Sequence, residues 1–225
     1  MIRRTHTRFD FGALARSYDR WYETAEGKAH DHQQKAAVSR LLPPPTRNAT
    51  LLDVGCGTGH WSRFFGSLGY RVVGVDLSRE MLCRARSHDR IHGLFGIADG
   101  CSLPFDDFAF DVVSAMAVVE FTSCVDALVA EVFRCARTDG TVIVGTLNRL
   151  APLNRHRVAA GKEPYCAARL FSPTELRHLL APFGTVRVVV AKSGANDDES
   201  GAFILAMATK GVRPRCVEEM TAKTC

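Results

Sequence analysis

Apolar and polar positions change their spacing along this chain, and the changes mark its elements. Residues 9–42 carry apolar side chains at helical intervals, in two pieces that meet near Thr24 and Gly27. The run Pro43-Pro44-Pro45 ends that region, because proline has no amide proton and crowds the preceding turn. From Thr50 onward, short apolar runs alternate with amphipathic stretches. The runs at 51–54, 71–75, 94–98, 110–115 and 141–146 have strand length, and the stretches at 61–68, 79–87 and 125–136 have helical spacing. Ser78 is placed to cap the second of those helices, and Gly69 closes the first. Strands alternating with helices imply a parallel sheet covered on both faces.

The pattern changes near the end. Ser172-Pro173-Thr174-Glu175 reads as a helix start, with a capping serine, a proline at the first position and a glutamate three residues on. Two further strands follow at 185–191 and 202–208, joined by a polar connection too short for a crossover helix. That pair must therefore be antiparallel. The expected fold class is α/β in three layers, with a seven-stranded, mostly parallel sheet ending in a C-terminal antiparallel hairpin. It is read as one domain over 1–225: an N-terminal helical lid at 9–45, a first half at 50–146, an insertion at 147–171, the helix and hairpin at 172–208, and a weakly patterned tail at 209–225.

Composition narrows the class. A chain of 225 residues, 46% hydrophobic and 24% charged, is an ordinary globular protein with room for a sizeable core. No apolar run reaches membrane-spanning length, and the basic start Arg3-Arg4 leads into no apolar stretch of a signal peptide. The eight cysteines include no Cys-x-x-Cys pair and no histidine at zinc-finger spacing. They are read as free core residues suited to a reducing cytoplasm, without a metal or a disulfide framework. The net charge of +5 is concentrated at Arg149, Arg155, Arg157, Lys162 and Arg169, opposed only by Glu163. That cluster would attract an anionic substrate, although a solvated loop is the plainer reading. No basic–aromatic interleaving points to nucleic acid.

The candidate chemistry begins at Leu51-Leu52-Asp53-Val54-Gly55-Cys56-Gly57-Thr58-Gly59, a strand running into a glycine loop and then a helix start at His60-Trp61. This arrangement makes a nucleotide pocket. A dinucleotide fingerprint needs Gly-x-Gly-x-x-Gly, but here the third glycine falls one place early at Gly59, with His60 where it should stand. No Gly-Lys-Ser/Thr follows, which excludes a P-loop. Asp53, directly before the loop, suits a ligand carrying an amino group. Asp76 ends the second strand, where a carboxylate can accept both hydroxyls of a ribose, and Asp99 ends the third, where it can face an adenine amino group.

With these residues the chain resembles the class I S-adenosylmethionine-dependent methyltransferases, in particular their small-molecule branch that includes quinone-biosynthesis enzymes. The stretch 51–59 is similar to their first motif, Val75-Asp76-Leu77-Ser78 to the second strand end, and Ala98-Asp99-Gly100 to the adenine-side turn. Leu103-Pro104-Phe105 with Phe110-Asp111-Val112-Val113 resembles the fourth-strand region. Arg137-Thr138-Asp139-Gly140-Thr141 resembles the turn before strand five, though Thr138-Asp139 departs from its Pro-Gly-Gly. The resemblance implies a Rossmann-like methyltransferase fold and S-adenosylmethionine as cofactor, with S-adenosylhomocysteine as product. It implies cofactor contacts at Tyr18, Asp53, Gly55, Cys56, Gly57, Gly59, Asp76, Leu77, Ala98, Asp99, Gly100 and Met116. The implied reaction is in-line methyl transfer to a small-molecule acceptor.

Methyl transfer from a sulfonium needs orientation and exclusion of water more than a conspicuous catalytic residue. Glu120, just beyond strand four, is a candidate base or acceptor-positioning group, and equally a structural helix-start charge. The Asn/Asp-Pro-Pro-Tyr/Phe motif of many enzymes that methylate nucleic acids and proteins does not occur there. Tyr18, Trp21 and Tyr22 fit an aromatic lid over a sulfonium, although Trp21 and Tyr22 would equally pack a helix on the sheet. His30 and His32 could serve as bases only if that lid folds over the acceptor. Asn148, Asn154 and His156 lie in the insertion expected to select substrate. The rival readings are a catalytically silent cofactor-binding scaffold and a nicotinamide oxidoreductase.

Overall fold

The computed structural model describes residues 6–87, 93–191 and 200–211. Within them seven strands form one sheet in the order β3-β2-β1-β4-β5-β7-β6. The strands are β1 (Thr50–Val54), β2 (Arg71–Asp76), β3 (Leu94–Ile97), β4 (Phe110–Met116), β5 (Ala136–Leu147), β6 (Gly184–Ala191) and β7 (Phe203–Lys210). β3, β2, β1, β4 and β5 run parallel, while β7 is antiparallel to both β5 and β6. The expected fold class is the one observed. The tail beyond 211 and most of the polar connection between β6 and β7 lie outside the described residues.

Among the described residues the α-helices are α1 (Arg20–Glu23), α2 (Ala25–Leu41), α3 (His60–Ser67), α4 (Arg79–Arg86), α5 (Val125–Cys135), α6 (Pro152–Ala159) and α7 (Pro173–Leu180). Neighbouring residues on a strand point to opposite faces, and the core divides accordingly. Leu51, Val112 and Leu205 pack with Val38, Trp61 and Phe65 on one side. Leu52, Val113 and Ile204 pack with Leu128, Phe133 and Leu176 on the other. Both faces of the central strands are therefore buried, which explains why they read as unbroken apolar runs rather than alternating ones.

Capping follows the sequence closely. Ser78 Oγ accepts the amide of Met81, and Ser172 with Glu175 forms a complete capping box at α7. Three expectations need correction. The N-terminal helical region has an additional break: a 3-10 turn at Phe11–Leu14 precedes α1, and Thr24 then caps α2 through the amide of Gly27. β5 begins at Ala136 rather than Thr141, with Asp139 at φ 59° and a register shift against β4. The cysteines are not all free, because Cys101 and Cys124 form a disulfide. No described helix is long and apolar enough to cross a membrane.

Candidate cofactor and acceptor site

β1 delivers the glycine loop to the carboxyl edge of the sheet, beside the end of β4. Between these two strands the progression of the chain across the sheet reverses, and the crevice of an open α/β sheet lies at that point. Gly55 has φ 68°, and a Cβ there would collide with Cγ2 of Val118, in the segment after β4. The two loops approach this closely only because residue 55 has no side chain. Gly57, at φ 54°, is different: a Cβ there would meet nothing within 4 Å, since the crest of the loop faces an open cavity.

Asp76 braces that crest from the end of β2. Its Oδ2 accepts the Gly57 amide at 2.8 Å and its Oδ1 the Ser78 amide at 2.8 Å. Burial pushes this carboxyl up from its ordinary pKa, against the pull of its amide donors. Beyond β3, Asp99 Oδ1 accepts the amide of Cys101 at 2.9 Å, and its Oδ2 lies 2.5 Å from Nδ1 of His6. Leu77, Met81, Ala98 and Leu128 add apolar surface to the same cavity.

Of the contacts expected from the sequence, Tyr18, Gly55, Cys56, Gly57, Asp76, Leu77, Ala98, Asp99, Gly100 and Met116 line this one cavity. Asp53 and Gly59 do not. Asp53 lies beneath the loop with both oxygens engaged, by Ser62 Oγ at 2.6 Å and Ser114 Oγ at 2.7 Å. Burial raises its pKa to about 6. It ties β1 to α3 and β4 rather than presenting a charge to a ligand. Gly59, at φ 78°, turns the loop into α3, and its amide donates to the carbonyl of Cys56 at 2.9 Å.

The N-terminal segment adds to the wall beyond Tyr18, and residues of the glycine loop and α3 join it. His6, Thr7, Phe9, Phe11, Tyr22, Thr58 and His60 line the cavity as well. The lid is held to the glycine loop by Thr58 Oγ1 donating to Asp19 Oδ1 at 2.6 Å and by His60 Nε2 against Asp31 Oδ1 at 2.6 Å. Tyr22 stacks on His60 with ring centroids 3.7 Å apart. Burial pulls the His60 pKa below its ordinary value, although Asp31 opposes this. At the other end, the Arg8 amide donates to the Phe121 carbonyl at 2.6 Å, and Phe11 packs edge-on against Phe121. His60 carried a signal, as the residue where a dinucleotide site would have glycine. Residues 6–11 carried none.

Glu120 is fully buried between the lid and β5. Its Oε1 accepts the Leu147 amide at 3.3 Å, while its Oε2 makes no hydrogen bond. Burial raises its pKa to about 7, with the nearby Thr146 hydroxyl pulling the other way. Its charge in turn helps raise Tyr18, whose hydroxyl burial pushes up to about 12. His30 stacks on Trp21, and His32 is exposed. In the insertion, Asn148 and Asn154 are buried and bind the carbonyls of Gly201 and Ala202, so they hold the backbone; His156 is exposed. The basic cluster is largely committed. Arg157 is buried against Glu26 of α2 at 2.7 Å and lies over the Tyr165 ring, Arg149 pairs with Glu175, and Arg169 lies over Phe171.

Known proteins are similar to this chain in sequence and fold. The family described as "Methyltransferase domain" matches residues 52–144. Over 142 residues the chain is 32% identical to the phosphatidylethanolamine N-methyltransferase of Cereibacter sphaeroides, covering 60% of this chain and 68% of that protein. It is 33% identical over 140 residues to the malonyl-[acyl-carrier protein] O-methyltransferase of Pectobacterium atrosepticum, covering 61% of this chain and 51% of that protein. This last match thus spans about half the length of the relative. The backbone superposes on an S-adenosylmethionine-dependent methyltransferase of Thermotoga maritima with a TM-score of 0.71 and 26% identity, covering 89% of this chain and 97% of that one. The chain belongs to the class I S-adenosylmethionine-dependent methyltransferases.

Proposed function

We propose that this protein, acting as a single domain in the cytoplasm, methylates a small-molecule acceptor. The observation that carries the reading is the convergence of Gly57, Asp76 and Asp99 on one cavity at the reversal point of the sheet. S-adenosylmethionine supplies an electrophilic methyl group on a sulfonium. In this reading Asp76, which uses one lone pair of each oxygen on the backbone, offers the others to ribose hydroxyls, and Asp99 lies at the adenine end. The open face at Gly57 lets the ligand lie against backbone. Met116 and Tyr18 border the reacting end.

The lid excludes water. Its aromatic surface, from Phe11 through Tyr18 to Tyr22, suits a sulfonium through cation–π attraction. Glu120 is not in the cavity wall, and it is a positioning residue: its charge helps raise the phenol of Tyr18, which keeps its own proton and faces the cavity. The relative from Cereibacter is named for N-methylation of phosphatidylethanolamine and the one from Pectobacterium for O-methylation of malonyl-[acyl-carrier protein]. An anionic group on the acceptor would suit Arg155 and Lys162, which are exposed within the insertion; nucleic acid is not part of the reading.

The test is turnover of S-adenosylmethionine to S-adenosylhomocysteine with a pool of hydroxyl- and amine-bearing metabolites. Cofactor binding without turnover across the pool would favour a silent scaffold. In Glu120→Gln, the reading expects turnover to fall at least tenfold while S-adenosylhomocysteine affinity stays within twofold.

A further inference from the structure

The disulfide Cys101–Cys124 joins two segments that the cavity needs, and neither thiol has a part in the methyl-transfer reading. Cys101 belongs to the turn after β3 and itself lines the cavity next to Asp99. Cys124 ends the segment after β4 and leads into α5. Between them, Thr122 places its Oγ1 3.5 Å from Cys101 Sγ and 3.4 Å from Cys124 Sγ. That hydroxyl also lies 3.0 Å from the carbonyl of His6. The lid rests on both joined segments: His6 contacts Asp99 on one, while the Ser123 amide donates to His6 O at 2.9 Å and Arg8 Nε to Thr122 O at 3.0 Å on the other.

We infer that Cys101 and Cys124 form a reversible dithiol–disulfide modification site that sets how firmly the first turn of the lid, His6 to Phe11, is anchored over the cavity. The disulfide holds the two anchor points of the lid at one spacing, and reduction lets them move independently. Both cysteines are half-buried rather than sealed, and Cys101 opens on the cavity, which gives a small reagent a route to the pair. A ring nitrogen of His6 lies within 4.8 Å of both sulfurs, so the first residue of the anchored segment sits directly beside the pair.

The co-reactant is a small-molecule disulfide such as oxidised glutathione. One protein thiolate attacks a reagent sulfur, forming a mixed disulfide and expelling one small thiolate. The second protein thiolate then attacks the protein-side sulfur, closing Cys101–Cys124 and expelling the other. Two protein S–H bonds are replaced by one S–S bond. The reagent disulfide is reduced to two thiols, accepting the two electrons and two protons.

The effect on cofactor affinity rests on the cavity being the cofactor site, and the effect on the lid does not. The experiment therefore equilibrates the full chain in glutathione buffers of graded ratio. Mass after alkylation gives the redox state, amide exchange over residues 6–11 gives lid order, and titration gives the Kd of S-adenosylhomocysteine. We expect one two-electron transition and at least fivefold faster amide exchange in the reduced protein. We also expect a roughly tenfold weaker Kd in that state, as loss of preorganisation would give. Cys101→Ser combined with Cys124→Ser should behave as the reduced form in every buffer, whereas Cys83→Ser with Cys166→Ser should behave as wild type. A pair that stays in one state across all buffers would overturn the proposal. So would identical lid exchange in the two states, or stoichiometric zinc held by the reduced thiols with His6. Absence of S-adenosylhomocysteine binding in both states, with lid exchange still redox-dependent, would instead sink the cofactor reading.

Discussion

Three acids at successive strand ends look alike in the sequence, and the structure gives each a different task. Asp53 is consumed by two serine hydroxyls beneath the loop, Asp76 braces the loop and keeps lone pairs for a ligand, and Asp99 meets His6. The sequence could place all three at the carboxyl edge of the sheet. It could not reveal which lone pairs are already used, because Ser62 and Ser114 lie on other elements. For Asp76→Ala we expect the Kd of S-adenosylhomocysteine to rise about 100-fold by calorimetry, the loss of two charge-assisted hydrogen bonds. Glu120 has a signature in stability as well as in turnover. Below pH 4.5 its carboxyl is protonated whether the chain is folded or not. Between there and about 7 the unfolded chain ionises first, so burial lowers stability as pH rises and the penalty levels off above that range. Glu120→Gln should therefore gain on wild type by up to about 3 kcal/mol between pH 4 and pH 8 in urea denaturation. A gap independent of pH would show that the carboxyl is not held protonated.

At the scale of elements, legibility followed how far each element explains itself. The inner parallel strands β1, β4 and β5 were readable because burial on both faces makes each an apolar run, and α7 because its capping box is local in sequence. α6 was not readable. Its buried positions are Asn154 and Arg157, polar residues whose partners include the Ala202 carbonyl ahead of β7 and Glu26 on α2. The disulfide was hidden for a similar reason: a separation of 23 residues becomes a contact only once β3 and β4 end at the same edge of the sheet. Arg157 also gives the insertion its hold on the lid. Replacing it with alanine should loosen 152–167 in hydrogen exchange and raise the acceptor KM several-fold. The Kd of S-adenosylhomocysteine should stay unchanged, because no cavity residue is altered.

For the whole molecule, the lid is fastened at the glycine loop, at the turn after β3 and beyond β4, so the cavity is assembled from every part of the parallel half. A ligand seated there should stabilise the fold as a unit. At 100 times its Kd, S-adenosylhomocysteine should add about 2.7 kcal/mol. That corresponds to a Tm increase of roughly 5–10 °C for a domain of this size. NADH at the same concentration should add nothing, and the reverse result would return the glycine loop to the dinucleotide class. The position of β7 has a further consequence, for the order in which the molecule can be completed. β7 enters between β5 and β6, so the twelve-residue β5 and the preceding β6 have no shared partner until residues 203–210 have been synthesised. Until then the nascent chain presents a long apolar strand edge to any neighbour. A chain cut or stalled before Phe203 keeps that edge permanently, and self-association rather than a smaller stable domain is the expected fate of such fragments.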